Sequence, residues 1–269
     1  MDGVLLIHGL GGTPLELGGL PKQLEQAGFK TYAMTLPGHG TRAEHLSTVV
    51  MEDWLSAVQT AYQEVAKKHQ TVHVVGMCMG ALLACELAKE QAQKLPQSKN
   101  HFGKLVMLAP TVFLDGWGMP WYHWLRHLHY VIPLLRGNYR IPEDEPYGIK
   151  NVRLRAIVKK RFIRGDAFHY GWVPLQSIWQ LDRLRGRVLK GLSRVTADAL
   201  VVHAREDEFS SLRSAYALQK GMGAPRTRVV VLENSYHMIC VDDDRELLAA
   251  QVLAFLHGEN PHVNTAANL

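Results

Sequence analysis

A cysteine framed by two glycines stands between an apolar run and a helix-like stretch. The apolar run covers residues 72–75 (VHVV), the framed segment residues 76–80 (GMCMG) and the helix-like stretch residues 81–88 (ALLACELA). Two small residues at this spacing let a strand turn sharply into a helix and present the residue between them to solvent. We therefore predict a strand, a sharp turn and a helix, with the thiol of Cys78 as a nucleophile at the turn.

Short apolar runs alternate with amphipathic stretches along most of the chain. Their spacing predicts strands over residues 3–7, 30–34, 72–75, 105–109, 199–203 and 228–232, and helices over residues 14–27, 51–68, 81–88, 211–220 and 244–257. Strands that alternate with helices on this scale form a mostly parallel sheet with helices on both faces. The predicted fold class is therefore α/β.

The alternation breaks between residues 109 and 199, where the composition also changes. Residues 116–196 hold 15 of the 30 Lys and Arg but 5 of the 25 Asp and Glu, together with five of the six Trp. This segment carries a net charge of +10, whereas the rest of the chain carries −5. We interpret residues 113–196 as a helical cap inserted into a core of residues 1–112 and 197–260, with residues 261–269 as a frayed tail.

Two loops that follow predicted strands carry the groups that a thiol nucleophile needs. Asp207 lies just beyond the fifth strand in AREDEF, and His237 lies just beyond the sixth in NSYHM. An acid and then a histidine follow the nucleophile in this kind of fold, each on a loop after a strand. We predict that His237 takes the proton of Cys78 and that Asp207 orients the imidazole. Glu206 and Glu208 remain alternatives for the acid.

A developing oxyanion needs two backbone donors near the nucleophile. One is the N–H of Met79, directly after Cys78, and the other is assigned to Leu10 in the loop HGLGG after the first strand. Gly11 and Gly12 would let that backbone approach the nucleophile.

These segments resemble the α/β-hydrolase superfamily, and within it the small bacterial carboxylesterases and monoacylglycerol lipases. The matching segments are LLIHGLGGTP, LPGHG, VVGMCMG, VVHAREDEFSS and ENSYHMICVDDD, which span nearly all of the chain except the insertion. The resemblance implies an α/β-hydrolase fold whose cap covers the active site. It also implies that Leu10 is an oxyanion donor, Cys78 with Met79 the nucleophile segment, Asp207 the acid and His237 the base. We predict no cofactor and no metal.

The cysteine departs from these esterases, which carry serine in the elbow. A cysteine there resembles dienelactone hydrolases and polyhydroxyalkanoate synthases, although a synthase is much longer. A thiol with a pKa of about 8.5 leaves a tetrahedral intermediate far more readily than an alkyl alcohol, so attack on an ordinary ester would mostly reverse. We therefore expect an acyl hydrolase of the carboxylesterase or thioesterase type that favours thioesters or lactones. Three alternatives stay open: an acyltransferase of the same fold, a silent ligand-binding fold, and an esterase inactivated by replacement of its serine.

The predicted cap would select the substrate. Its aromatic residues Trp117, Trp121 and Trp124 are candidates for an acyl pocket. Its Lys and Arg, densest at residues 159–164 (KKRFIR), would meet an anionic or carrier-linked acyl group or the surface of an anionic membrane. An ordinary solvated helix face is the alternative for this basic run. Nucleic acid is not expected as a partner, since no binding motif accompanies the charge.

Compartment and assembly are constrained only by simple features. The chain has three cysteines, which are too few for a disulfide framework and cannot all be paired. We therefore predict that Cys78, Cys85 and Cys240 are free thiols in a reducing compartment. No leader-like pattern and no apolar run long enough to span a bilayer occur, which predicts a cytoplasmic protein. The pattern predicts no particular oligomeric state.

Overall fold

In the computed structural model, six parallel strands form the central sheet. The structure describes residues 1–94, 101–130, 139–164 and 168–259. The sheet has the order β2-β1-β3-β4-β7-β8, and β5 pairs with β6 in a separate antiparallel ribbon. The strands are β1 (Gly3–Ile7), β2 (Lys30–Met34), β3 (Thr71–Met77), β4 (His101–Leu108), β5 (Arg140–Pro142), β6 (Trp172–Pro174), β7 (Ala199–Ala204) and β8 (Thr227–Leu232). The prediction of an α/β fold with a parallel sheet is confirmed.

Helices cover both faces of this sheet. Successive residues of a strand point to opposite sides, so each face carries apolar side chains that helices bury. Leu5 and Ile7 of β1 belong to one buried cluster, whereas Val4 and Leu6 belong to the other. The helices are α1 (Leu20–Gln26), α2 (Met51–Ala66), α3 (Met79–Lys94), α4 (Arg126–His129), α5 (Val152–Arg164), α6 (Leu175–Leu189), α7 (Arg213–Gly221) and α8 (Arg245–His257). The first cluster includes side chains of α2, α3 and α6, and the second includes side chains of α1 and α8.

The first predicted helix, residues 14–27, is interrupted. A 3-10 turn covers Pro14–Leu17, and Gly18 follows with a φ of 55° before α1 begins. A Cβ at Gly18 would lie 2.5 Å from the Cys240 carbonyl oxygen, so the chain bends where it closely approaches another backbone. The prediction of one continuous helix was wrong here, and the short turn buries Glu16.

The chain between β4 and β7 contains α4, the β5–β6 ribbon, α5 and α6. Lys89 of α3 is buried, and its ammonium donates hydrogen bonds to the carbonyls of Val188 (2.6 Å) and Lys190 (3.0 Å) at the end of α6. Since the last carbonyls of a helix have no intrahelical partner, Lys89 completes that end of α6. The predicted tail, residues 261–269, lies outside the described residues.

Candidate active site

Cys78 occupies a sharp turn between β3 and α3. Its φ is 54°, in the left-handed region that a residue with a side chain rarely adopts. A Cβ at Gly76 would lie 2.2 Å from the Gly80 carbonyl oxygen, and one at Gly80 would lie 2.3 Å from the Ile7 carbonyl oxygen. Both glycines are therefore required by close backbone contacts. The strained turn leaves the Cys78 side chain partly exposed, with its Sγ 3.8 Å from the Thr111 hydroxyl.

Asp207 and His237 form a buried pair at the ends of β7 and β8. The Asp207 Oδ2 lies 2.7 Å from His237 Nδ1, and the Asp207 Oδ1 accepts the backbone N–H groups of Phe209 and Ser210, each at 2.9 Å. Burial by itself would raise the pKa of Asp207, but the His237 charge and these hydrogen bonds hold it below its usual value. Asp207 is therefore a carboxylate that orients the ring of His237.

The neighbouring carboxylates contact other groups. Glu206 is exposed and pairs with Lys150 at 2.7 Å. The Oε2 of Glu208 accepts the backbone N–H of His237 at 3.1 Å, and burial raises the pKa of Glu208 to about 7. Of the three candidate acids, Asp207 is the one whose carboxylate contacts the ring of His237.

The His237 ring also lies within interaction range of Cys78. Burial alone would lower the pKa of His237, but the negative charges of Asp207 and of a Cys78 thiolate raise it well above 6.5. The site therefore favours a protonated His237 between the Asp207 carboxylate and the Cys78 sulfur. Such a histidine can protonate a leaving group and later remove a proton from water.

The loop after β1 lies directly against the elbow, since a Cβ at Gly9 would be 3.0 Å from the Cβ of Cys78. The Nε2 of His8 accepts the Leu36 N–H at 3.0 Å, so its ring proton is on Nδ1, which donates to the Gly9 carbonyl at 2.8 Å. Burial lowers the pKa of His8 to about 3 and keeps the ring neutral. His8 therefore fixes the peptide plane that carries the N–H of Leu10.

The two backbone groups assigned to the oxyanion are available for a ligand. In the part of the chain that the structure describes, neither the Leu10 N–H nor the Met79 N–H donates a hydrogen bond to a backbone or side-chain acceptor. Sequence reasoning did not identify His8, although a histidine directly after an apolar strand and before a glycine was the available signal.

The aromatic residues predicted for an acyl pocket differ in their surroundings. The indole N–H of Trp117 donates to the Glu206 carbonyl at 2.8 Å, and its ring meets Tyr236 edge-on with centroids 5.3 Å apart. Trp117 thus lies beside the loops that carry Asp207 and His237. All three side chains are largely exposed: Trp117 by 58%, Trp121 by 82% and Trp124 by 53%. In the basic run at residues 159–164, Lys159 pairs with Glu145 at the surface.

Other buried polar residues shape the site. Asp242 is buried and accepts the N–H groups of Lys150 (2.6 Å), Tyr236 (2.9 Å) and Asn151 (3.0 Å). It therefore joins the loop of His237 to the chain that precedes α5.

The structure also describes the remaining thiols and possible ligand groups. Cys85 and Cys240 are buried free thiols, and burial raises the pKa of Cys85 to about 12 and that of Cys240 further. Among the described residues, no cluster of three or more His, Cys, Asp or Glu could hold a metal ion. The helices of the described ranges include none that is both long and apolar enough to cross a membrane.

Comparison with known proteins agrees with this architecture. The chain is 25% identical over 253 residues to a thermostable monoacylglycerol lipase of Bacillus sp. (strain H-257), covering 94% of this chain and 89% of the relative. It is 22% identical over 260 residues to a carboxylesterase of Bacillus subtilis (strain 168), covering 94% and 91%. A solved structure of a Paleococcus ferrophilus monoacylglycerol lipase superposes with a TM-score of 0.77 at 19% identity, covering 96% and 95%.

The family match extends over both halves of the sheet. Residues 4–251, from β1 to within α8, match the model of the alpha/beta hydrolase family. The matched range includes the elbow, the loop of Asp207 and the loop of His237. This chain belongs to the alpha/beta hydrolase family.

Proposed function

We propose that this protein is an acyl hydrolase of the carboxylesterase or thioesterase type, with Cys78 as nucleophile, His237 as general base and acid, and Asp207 as the orienting carboxylate. The observation that supports it most directly is the His237 ring, which lies 2.7 Å from Asp207 and interacts with Cys78 at a strained elbow. The names of the two Bacillus relatives, a monoacylglycerol lipase and a carboxylesterase, support ester-like acyl substrates.

The proposed reaction has two halves. The Cys78 thiolate bonds to the acyl carbon, and the carbonyl oxygen gains negative charge that the N–H groups of Leu10 and Met79 stabilise. His237 gives its proton to the leaving group as the tetrahedral intermediate collapses to an acyl-Cys78. His237 then removes a proton from water, the resulting hydroxide attacks the thioester, and the acid is released as Cys78 leaves.

The thiol sets the preferred leaving group. A thiolate leaves more easily than an alkoxide. The first tetrahedral intermediate therefore collapses to the acyl-Cys78 only when the leaving group of the substrate departs as readily as Cys78 does. Thioesters and lactones with stabilised leaving groups meet this condition, and simple alkyl esters do not. This is the reason for proposing activated acyl donors.

In the proposal, residues 113–196 form a cap that selects the acyl group. Trp117, beside the loops of Asp207 and His237, is the aromatic residue best placed to line the pocket. The net charge of +10 over residues 116–196 favours anionic or carrier-linked donors and peripheral contact with an anionic membrane. Three free thiols fit a reducing cytoplasm.

The test compares matched oxygen-ester and thioester substrates and follows the mass of the intact protein. We expect one acyl group to accumulate on Cys78 and turnover to favour the thioester, with both lost in Cys78→Ala. If no adduct and no turnover occur but Cys78→Ser hydrolyses ordinary esters, the cysteine is a silencing replacement and the proposal is wrong. Transfer of the acyl group to an added alcohol or thiol instead of water would identify an acyltransferase.

A further inference from the structure

A buried carboxylate lies inside the loop that is proposed to carry an oxyanion donor. Glu16 is 2% exposed, and its Oε2 accepts the backbone N–H of Gly9 at 3.1 Å. A Cβ at Gly12 would overlap the Glu16 carboxyl, at 1.9 Å from its carbon. The loop therefore closes tightly over this side chain, and glycine is needed for the approach. Neither Glu16 nor its role belongs to the nucleophile, acid and base described above.

A histidine from the chain between β4 and β7 reaches the same loop. The Nε2 of His169 lies 3.1 Å from the Leu10 carbonyl oxygen and 3.4 Å from the Oε1 of Glu16. Its Nδ1 lies 2.7 Å from the Tyr170 carbonyl oxygen. Carbonyl oxygens only accept hydrogen bonds, so both ring nitrogens act as donors and the ring is an imidazolium. Burial opposes the charge, but Glu143 and Glu16 raise the pKa of His169. Burial also raises the pKa of Glu16 to about 7, and the charge of His169 and the Gly9 N–H favour the ionised form of Glu16 against that burial.

The backbone beside His169 pairs with the loop as a short antiparallel bridge. Gly12 is bridged to His169, and the Tyr170 N–H donates to the Gly11 carbonyl at 2.8 Å. Gly11 has a φ of 82°, and a Cβ there would lie 2.7 Å from the His169 ring. The position of the His169 ring against this loop is therefore fixed.

Three consecutive peptide groups of the loop are each held by a different side chain. Glu16 accepts the N–H of Gly9, His8 donates to the carbonyl of Gly9, and His169 donates to the carbonyl of Leu10. The N–H of Leu10 belongs to the middle peptide of the three. Its direction is therefore fixed from both sides, before any substrate is present.

Resting on the proposed function, we infer that the Glu16–His169 pair positions the Leu10 N–H for the oxyanion, so that the chain between β4 and β7 completes the catalytic machinery of the core. Glu16 and His169 are positioning residues, because they act on the substrate through Leu10. The pair joins residues that are far apart in the sequence across an ion-pair distance of 3.4 Å.

The test separates oxyanion stabilisation from thiol reactivity. A long-chain aldehyde bonds to the sulfur of Cys78 as a thiohemiacetal, which places its oxygen where the oxyanion forms. Iodoacetamide alkylates the same thiolate without an oxyanion. In His169→Leu we expect the acylation rate and the aldehyde affinity to fall about 10- to 100-fold with KM little changed, while the alkylation rate stays within about 3-fold.

The matched control is Tyr170→Phe, which alters the neighbouring side chain without removing a contact to residues 9–11. If His169→Leu does not fold, Glu16→Gln tests the same inference. Its carboxamide can still accept from Gly9 but does not attract His169, so we expect about a 10-fold loss of the same two quantities. Unchanged acylation and aldehyde affinity in the folded variants would overturn the inference, as would a parallel loss of alkylation. If the wild-type protein forms no acyl-Cys78, the proposed function itself is wrong.

Discussion

Two histidines, one buried in the core and one partly buried in the chain between β4 and β7, make similar contacts but act on different groups. His237 follows β8 and pairs with Asp207 at 2.7 Å, and His169 precedes β6 and pairs with Glu16 at 3.4 Å. The ring of His237 interacts with the Cys78 thiol, which a reaction can use. The ring of His169 is directed at carbonyl oxygens, which only fix a loop. A buried histidine–carboxylate pair therefore does not identify a general base, and the third partner decides its role.

The largest effect is expected from the core pair. Asp207→Asn should reduce kcat/KM about 10³- to 10⁴-fold, because an amide can no longer hold the required tautomer of His237 or stabilise its positive charge. The thermal midpoint should change little in comparison. Steady-state kinetics with a thioester measure the effect, with Glu206→Gln as the control. Equal losses in the two variants would show that Asp207 has no special role.

A second effect concerns the contribution of the contact between Lys89 and the end of α6 to the free energy of unfolding. Lys89→Met should lower the free energy of unfolding by about 2–3 kcal/mol, because the end of α6 loses its donor and Glu86 keeps only the partly exposed Arg187 as a cation. Urea unfolding measures this. Lys67→Met is the matched control, since Lys67 forms a pair of the same sequence spacing with Glu64 at the surface. A similar stability for both variants would mean that the two regions are held together mainly by apolar contacts.

A pH-dependent effect is expected from Glu208. Its pKa of about 7 in the folded protein exceeds its ordinary value of 4.5 because it is buried. Between these values the unfolded chain releases the proton and the folded chain keeps it, so this residue lowers stability as pH rises from 4.5 to 7. Glu208→Gln should therefore gain about 1–3 kcal/mol over wild type on going from pH 4.5 to 8.

Denaturation at several pH values checks this expectation. Glu206→Gln, which removes a neighbouring but exposed carboxyl, is the control variant. If the stability of Glu208→Gln depends on pH as that of the wild type does, burial does not raise the pKa of Glu208. Glu208 would then be ionised at neutral pH, as Asp207 is.

The smallest effect is expected from Tyr170→Phe. The hydroxyl accepts the Thr41 N–H at 3.0 Å and donates to the Gly38 carbonyl at 2.9 Å, so its loss should cost about 0.5–1.5 kcal/mol. Activity should stay within about 3-fold of wild type. Thermal unfolding and steady-state kinetics together measure this. A loss as large as that of His169→Leu would assign the effect to the whole segment and remove the special role of His169.

Local patterns explain how much of the fold was predictable. Strands β1 and β2 were predicted with the bounds that the structure shows. β1 is a buried parallel strand, which reads as a continuous apolar run that ends at turn residues, whereas β2 is a partly exposed edge strand that is bounded by turn residues. The first helix was predicted without its break at Gly18, since the contact that bends the chain is with Cys240, more than 200 residues away. Such contacts leave no periodic signal.

The candidate site was likewise predictable from the sequence only in part. The elbow at Cys78 and the strand ends that bring Asp207 and His237 together were predictable from the sequence, because the carboxyl ends of parallel strands share one edge of the sheet. The tertiary structure was needed to show that Glu16, Lys89 and Asp242 are buried and hydrogen-bonded, and that His169 is partly buried between distant segments. A charged or polar side chain is ordinarily exposed, and it becomes buried only where distant segments supply hydrogen-bond partners for it. Those partners are fixed by packing and not by neighbouring residues in the chain.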